Sequence, residues 1–222
     1  ISECLVGSEM CIRDRYYIYR SDALGEEVRD ALTEAARRGV KVRVLLDAWG
    51  STQVSSSFFQ NLKKAGGEVA FFFPLFVPYI NPRINYRNHR KIVVIDGKIG
   101  YTGGFNVGNE YLGLVKKFGY WRDNHLRIYG EAVYTLQNRF LMDWNSQHTK
   151  EVGYSPKFFP SIHTTGDIAV QIVTSGPDTE HEQIKMTYLK MISLAKREIL
   201  IQTPYYIPVS YTHLRAHETL AN

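Results

Sequence analysis

Residues 88–106 read NHRKIVVIDGKIGYTGGFN. The pattern is His-x-Lys-x4-Asp-x6-Gly-Gly-x-Asn, carried by His89, Lys91, Asp96, Gly103, Gly104 and Asn106. The run Ile92, Val93, Val94, Ile95 predicts a strand over 91–95. Side chains alternate with period two, so His89 and Lys91 are expected to point the same way. Asp96-Gly97 predicts a two-residue hairpin turn, with 98–102 as the return strand. Gly103 and Gly104 allow close backbone approach and are expected to leave N–H groups facing an anion, with the Asn106 amide nearby. A nucleophile, a fixed cation, a carboxylate and backbone donors at one strand-turn-strand corner suit attack on a phosphodiester, where catalysis is mostly positioning and positive electrostatics. Taken singly, each part is ordinary: a histidine at a strand start, a lone Asp-Gly turn. Their joint spacing carries the reading.

The segment resembles the HKD motif of the phospholipase D superfamily. More closely, residues 81–113 (NPRINYRNHRKIVVIDGKIGYTGGFNVGNEYLG) and 118–130 (FGYWRDNHLRIYG) resemble the first catalytic half of bacterial cardiolipin synthases. The likeness extends through YYIYRSD at 16–22, IVTSGPD at 172–178 and ILIQTPYYIP at 199–208. It implies an α/β phospholipase D-like fold, a mixed sheet flanked by helices. It also implies that His89 is the nucleophile or its partner acid, that Lys91 clamps the phosphate, and that Asp96 supports the motif. Gly103, Gly104 and Asn106 are the expected substrate-binding groups. No metal and no cofactor is implied, and the sequence has no clustered His/Cys/carboxylate ligand spacing.

Both ends depart from this pattern. Residues 1–15 (ISECLVGSEMCIRDR) and 209–222 (VSYTHLRAHETLAN) resemble translated sequencing-library adapter and are set aside as artefact. Residues 1–15 lack the basic start and continuous apolar core of a signal peptide. Cys4 and Cys11 both fall there, so cysteine usage says nothing of redox compartment.

With 44% hydrophobic residues over 222 positions, a sizeable core is expected. The net charge is +5. The two ends hold Arg13, Arg15 and Arg215 against Glu3, Glu9, Asp14 and Glu218, so the remainder is no less basic. A basic surface suits anionic partners, lipid headgroups or nucleic acid. No run of about 18 apolar residues occurs.

Outside the motif the chain alternates strands and helices. Residues 16–19 read as the tail of a strand. Leu24, Val28, Ala31, Leu32 and Ala35 share a helical face that Gly39 ends. Residues 40–46 and 69–73 read as strands, with a short helix around Phe58, Phe59 and Leu62 between them. The loop 74–82 is apolar and proline-punctuated, either a lipid-facing rim or a loop packed on the core. Residues 125–128 read as a strand, and Val133, Leu136, Phe140 and Trp144 as the core stripe of a helix. The Gly, Ser, Pro and Thr of 151–166 predict a linker. Beyond it, 169–173 and 199–203 read as strands. Thr179-x-x-Glu182 predicts a capping box for a helix carrying Ile184, Tyr188, Met191, Ile192 and Ala195.

The YYI at 205–207 echoes the YYI at 16–18. With the resemblance, this predicts one nearly complete copy at 16–150 and the start of a second, pseudo-symmetric copy at 167–208. A second full motif is absent. Covalent displacement at phosphorus needs a nucleophile on one side and an acid for the leaving oxygen on the other, so the chain by itself is expected to be catalytically inactive towards lipids. Asp123, in YWRDNH, is the expected hydrogen-bond partner that orients the catalytic histidine, or else a surface ion-pair partner of Arg122 or Arg127.

By resemblance, the whole protein is expected to be a phosphatidyltransferase of the bacterial cell membrane, moving a phosphatidyl group between phosphatidylglycerol molecules. Its implied partners are anionic phospholipid, the membrane surface and the missing second catalytic copy, with no nucleic acid. The alternative is a phospholipase D hydrolase or nucleic-acid phosphodiesterase of the same superfamily. A scaffold with a dead motif is disfavoured by the intact residues.

Overall fold

The hydrophobic runs of the sequence are drawn into one mixed sheet. The computed structural model describes residues 2–55, 57–73, 87–147, 151–164, 166–176, 181–203 and 205. The loop 74–82, Thr179 of the capping box and residues 206–222 lie outside them. The elements are α1 (Ser2–Val6), β1 (Cys11–Tyr16), α2 (Ala23–Arg37), β2 (Lys41–Asp47), α3 (Gln60–Lys64), β3 (Glu68–Phe72), β4 (Ile92–Ile95), β5 (Ile99–Gly103), β6 (His125–Tyr129), α4 (Ala132–Asn145) and α5 (Gln183–Leu194).

The chain forms two compact units, 1–172 and 173–222. In the first, the strand order is β3-β2-β1-β4-β5-β6. β1, β2 and β3 run parallel, and β4, β5 and β6 continue antiparallel. Parallel neighbours need crossovers, which α2 and α3 supply. α2 starts where the Asp22 side chain accepts the Gly25 N–H at 3.0 Å, and it ends before Gly39, whose φ of +93° suits glycine.

The sheet is covered on both faces, which is why β4 is apolar at every position. Val93 and Ile95 join Leu32, Ala35, Val44 and Leu46 in the core under α2. Ile92 and Val94 pack with Val133 and Leu136 of α4, while Phe140 and Trp144 of the same helix meet Leu45 and Ala70.

Three differences from the sequence reading have physical causes. First, the motif turn holds three residues, since Ile95 pairs with Ile99. Asp96 (φ +52°) and Gly97 (φ +68°) both take left-handed conformations, and the Lys98 N–H returns to the Ile95 carbonyl at 3.0 Å. Second, residues 11–15, set aside as adapter-like, are built into the centre of the sheet as β1, and the strand stops at Tyr16. Backbone pairing with β2 and β4 accepts any side chain. Arg13, Asp14 and Arg15 are consequently buried. The Arg15 guanidinium bonds Asp143, Arg13 Nη1 reaches Cys11 Sγ at 2.8 Å and its guanidinium lies 4.2 Å from the Phe158 ring centre, and burial pushes the Asp14 carboxyl up to about 7. Third, the expected linker is docked: Gln137 Nε2 donates to the Phe158 carbonyl at 3.0 Å and the Tyr134 hydroxyl to that of Pro160.

In the second unit α5 forms on its expected apolar period, but it starts after Glu182, whose side chain makes no capping hydrogen bond, and it ends before Ala195. Residues 199–203 take no strand, nor do 169–173, which straddle the boundary between the units. A strand needs a neighbour to complete its hydrogen bonds, and the described residues offer these none.

Candidate active site

The strand registers gather one edge of the sheet. β1 and β2 end there, at Tyr16 and Asp47; β4 begins there, since Ile92 pairs with Arg15; β5 ends and β6 begins there, since Gly103 pairs with His125. Ligand sites of open α/β sheets collect at such an edge. His89 stands in the segment that leads into β4, exposed to solvent, its ring 4.6 Å from that of Tyr17. The Lys91 side chain folds back to it. Lys91 Nζ donates to the His89 carbonyl at 2.9 Å and lies 3.0 Å from Nδ1 and 3.3 Å from Nε2. The expected convergence of His89 and Lys91 is therefore what the chain adopts.

Electrostatics suits a neutral imidazole beside a cation. Partial desolvation of a ring that still reaches solvent, together with the Lys91 charge, lowers the His89 pKa, opposed by the Asp47 carboxylate. Burial lowers Lys91 to about 8, with Asp123 opposing and Arg15 adding to the fall, so the ammonium stays mostly charged at neutral pH.

Asp47, which the sequence reading missed, holds this corner. Its Oδ2 accepts the Asn88 N–H at 3.0 Å, and its Oδ1 accepts those of Trp49 and Gly50 at 2.9 and 3.1 Å. One buried carboxylate thus ties the end of β2 to the residue before His89. A histidine NMR titration is expected to place the His89 midpoint below 6.5, and Asp47→Asn is expected to lower it further by removing the opposing charge. A midpoint that rises in the variant overturns this electrostatic assignment.

Asp96 lies at the opposite edge of the sheet, at the far end of β4. Its carboxylate accepts the N–H groups of Glu9 (3.0 Å), Met10 and Cys11 (both 2.8 Å), so it anchors the start of β1 and does not face His89. Regular spacing along a strand put it in the motif but not in the site.

The glycine pair also differs from expectation. The Gly104 N–H donates to the Asn124 carbonyl at 2.9 Å and is not free to face an anion. A Cβ at Gly104 would overlap the Asp123 carboxylate, and one at Gly103 would come within 2.6 Å of His125 Cα. The pair lets the 123–125 chain press against β5. Asn106 is likewise engaged, its Oδ1 accepting the Ile18 N–H at 2.9 Å and its Nδ2 donating to the Tyr111 hydroxyl at 2.7 Å.

Asp123 makes no hydrogen bond to His89 and no ion pair with Arg122 or Arg127. Its Oδ1 accepts the Asn124 N–H at 2.8 Å, and its charge acts on Lys91 and His125. His125 stacks on Phe105 (5.8 Å, 23°), both ring nitrogens buried without a hydrogen bond, and burial lowers its pKa. Tyr17, Asp47 and His125 had no local signal beyond the YYI repeat and the strand ends, because only the register brings them together. The reading that no other His-x-Lys occurs in the chain is corrected by the sequence itself: His148 and Lys150 form one, which lacks the following aspartate and glycine pair and lies outside the described residues.

Comparison with known proteins agrees with the motif. The family model described as cardiolipin synthase, PLD-like domain, matches residues 13–144. The chain is 57% identical over 195 residues to the major cardiolipin synthase ClsA of Bacillus subtilis, covering 87% of this chain and 40% of that protein. It is 54% identical over 198 residues to a cardiolipin synthase of Staphylococcus aureus, covering 89% and 40%. The chain thus spans about 40% of the length of the curated relatives it matches. Among solved structures, NucT from Helicobacter pylori is similar with a TM-score of 0.48 and 17% identity, covering 65% of this chain and 85% of that one. With the family model matching more than half its length, the chain belongs to the PLD-like domain family of cardiolipin synthase.

Proposed function

We propose that this chain supplies one half of the active site of a cardiolipin synthase-type phosphatidyltransferase. The observation that carries the reading is the His89 imidazole within 3.0 Å of the Lys91 ammonium, at a strand edge of a chain more than half identical to cardiolipin synthases. In the proposed cycle a His89 ring nitrogen attacks the phosphorus of phosphatidylglycerol. The P–O bond to the headgroup glycerol breaks, and that oxygen takes a proton from an acid supplied by a second motif. The hydroxyl of a second phosphatidylglycerol then attacks the phosphohistidine, giving its proton to the same group, now a base. Cardiolipin forms and His89 is restored. Lys91 supports the charge on the phosphoryl oxygens, since a phosphoryl group held on His89 lies beside its ammonium. The proposed setting is an anionic membrane surface. Among the described residues no helix is long and apolar enough to cross a membrane.

The test is a graft. Residues 16–203 replace the matching stretch of the Bacillus subtilis relative, and the hybrid is given labelled phosphatidylglycerol. Thin-layer separation is expected to give cardiolipin and glycerol. Phosphatidic acid alone would favour a hydrolase, and cleavage of DNA without lipid products would favour a nuclease. Either result replaces this reading.

A further inference from the structure

The segment between the short 3-10 turn Asn109–Leu112 and β6 runs directly into Asp123 and is exposed along most of its length. Its apolar side chains are turned to solvent: Leu112 is 57% exposed, Leu114 65%, Phe118 50% and Tyr120 87%. Interleaved with them are Lys116, Lys117 and Arg122, also exposed and paired with no carboxylate among the described residues. The segment has defined turns. Gly113 (φ +70°) and Gly119 (φ +62°) reverse the chain, with the Leu114 N–H bonded to the Asn109 carbonyl at 3.1 Å and the Gly119 N–H to that of Val115 at 3.2 Å. At its base Trp121 packs edge-on against Tyr111 at 5.0 Å and against Phe118 at 6.2 Å. Tyr111 in turn receives the Asn106 amide, whose oxygen holds the Ile18 N–H. Several large apolar side chains kept in water within one short loop mark a candidate interaction surface. Aromatic and aliphatic groups among lysines and arginines match the boundary of a bilayer, where apolar groups enter beneath the headgroups and cations meet anionic phosphates.

We infer that the 112–122 loop is a docking element for an anionic phospholipid bilayer: Leu114, Phe118 and Tyr120 enter the interface, Lys116, Lys117 and Arg122 meet the headgroups, and Asp123 beside it couples the docked loop to the catalytic edge. The partner follows from charge complementarity: residues 112–122 carry Lys116, Lys117 and Arg122 and no carboxylate, Lys117 lies 5.7 Å from the Phe118 ring centre, and this mixture of apolar groups and cations matches an anionic bilayer surface. This rests on the proposed lipid substrate, but it concerns binding and not turnover.

The experiment uses the 222-residue chain with vesicles of phosphatidylcholine, alone or mixed with phosphatidylglycerol. Binding is read by co-sedimentation and by quenching of tryptophan fluorescence with brominated lipid. The chain is expected to bind the mixed vesicles, more weakly as salt rises. Lys116→Glu with Lys117→Glu is expected to weaken binding roughly twenty-five-fold or more at low salt, about fivefold for each cation lost. Leu114→Ser, Phe118→Ser and Tyr120→Ser together are expected to abolish the quenching. His89→Ala is expected to bind unchanged. Thermal melts check folding, and the charge reversal, wholly on the surface, stands as the measurement if the serine variant fails to fold. Binding indifferent to the loop variants overturns the inference, as does no binding to mixed vesicles. A change in the chain's mass in solution, in place of a change in vesicle binding, overturns it in favour of chain–chain contact. A graft that makes cardiolipin while binding ignores the loop defeats the docking element alone; a graft that makes none while binding follows the loop defeats the catalytic reading alone.

Discussion

His89→Ala, introduced into the grafted enzyme, is expected to lower cardiolipin formation by at least about a thousandfold, because the covalent route loses its nucleophile. The side chain is exposed and makes no core packing, so unfolding free energy should stay within about 0.5 kcal/mol of the parent. Lys91→Ala should also abolish transfer. It is buried, however, and its ammonium holds the His89 carbonyl and ring, so part of that loss will be misplacement of the imidazole. Thin-layer assay of both variants, with circular dichroism and a search for an acid-labile phosphoryl adduct on residue 89, separates the two effects. If His89→Ala keeps more than a few per cent of the parent rate while folded, His89 is not the nucleophile.

The parent chain is expected to lose stability as pH rises from about 4 to about 7, and Asp14→Val to lose far less. Asp14 lies on the central strand, closed off from water, with its carboxyl pushed up to about 7. In the unfolded chain it titrates near ~3.9. Its folded value is therefore the higher one. The folded state binds the extra proton, so stability is full below the unfolded value and falls until pH passes the folded value. Three units of difference correspond to a change on the order of 4 kcal/mol. Urea melts in acid, neutral and mildly alkaline buffer, on the parent, Asp14→Asn and Asp14→Val, check this. The difference between parent and Asp14→Asn isolates the one carboxyl from other titrating groups. The valine variant should gain most above neutrality, since a branched apolar residue suits a strand covered on both faces. Parallel curves for parent and variants would mean that Asp14 reaches water.

Much of this architecture could be read from local pattern. α2 and α4 have apolar residues at helical spacing, and β4 is a run of branched residues, so burial on one stripe or on both faces fixes them. β1 was misjudged because Arg13, Asp14 and Arg15 carry no strand signal, while the slot between β2 and β4 is filled through main-chain bonds. In the candidate site, the meeting of His89 and Lys91 was legible because two residues apart is a local distance. Asp96 was not, because seven residues of nearly extended chain carry it to the other edge. The glycine pair was read as a cradle for an anion, and it serves instead to admit Asp123 and His125. Asp47 and Tyr17 come to His89 only through the pairing of β1 with β2 and β4, which no window of sequence displays.

The sheet is continuous only along the β1–β4 ladder, where the parallel strands β1–β3 meet the antiparallel strands β4–β6. β1 is synthesised before both of its neighbours, and Ile12 must wait for Ile95, more than eighty residues on, before its second side is enclosed. β4, β5 and β6 can zip with near neighbours in the meantime, and long closures come late for entropic reasons. During that wait β1 keeps one open edge, the flank that β4 will cover, the kind of surface that recruits other chains. Arg13, Asp14 and Arg15 then act as gatekeepers, keeping the waiting strand hydrated and repelling wrong pairings until the slot closes. The charges that weaken the finished sheet protect the chain on its way there.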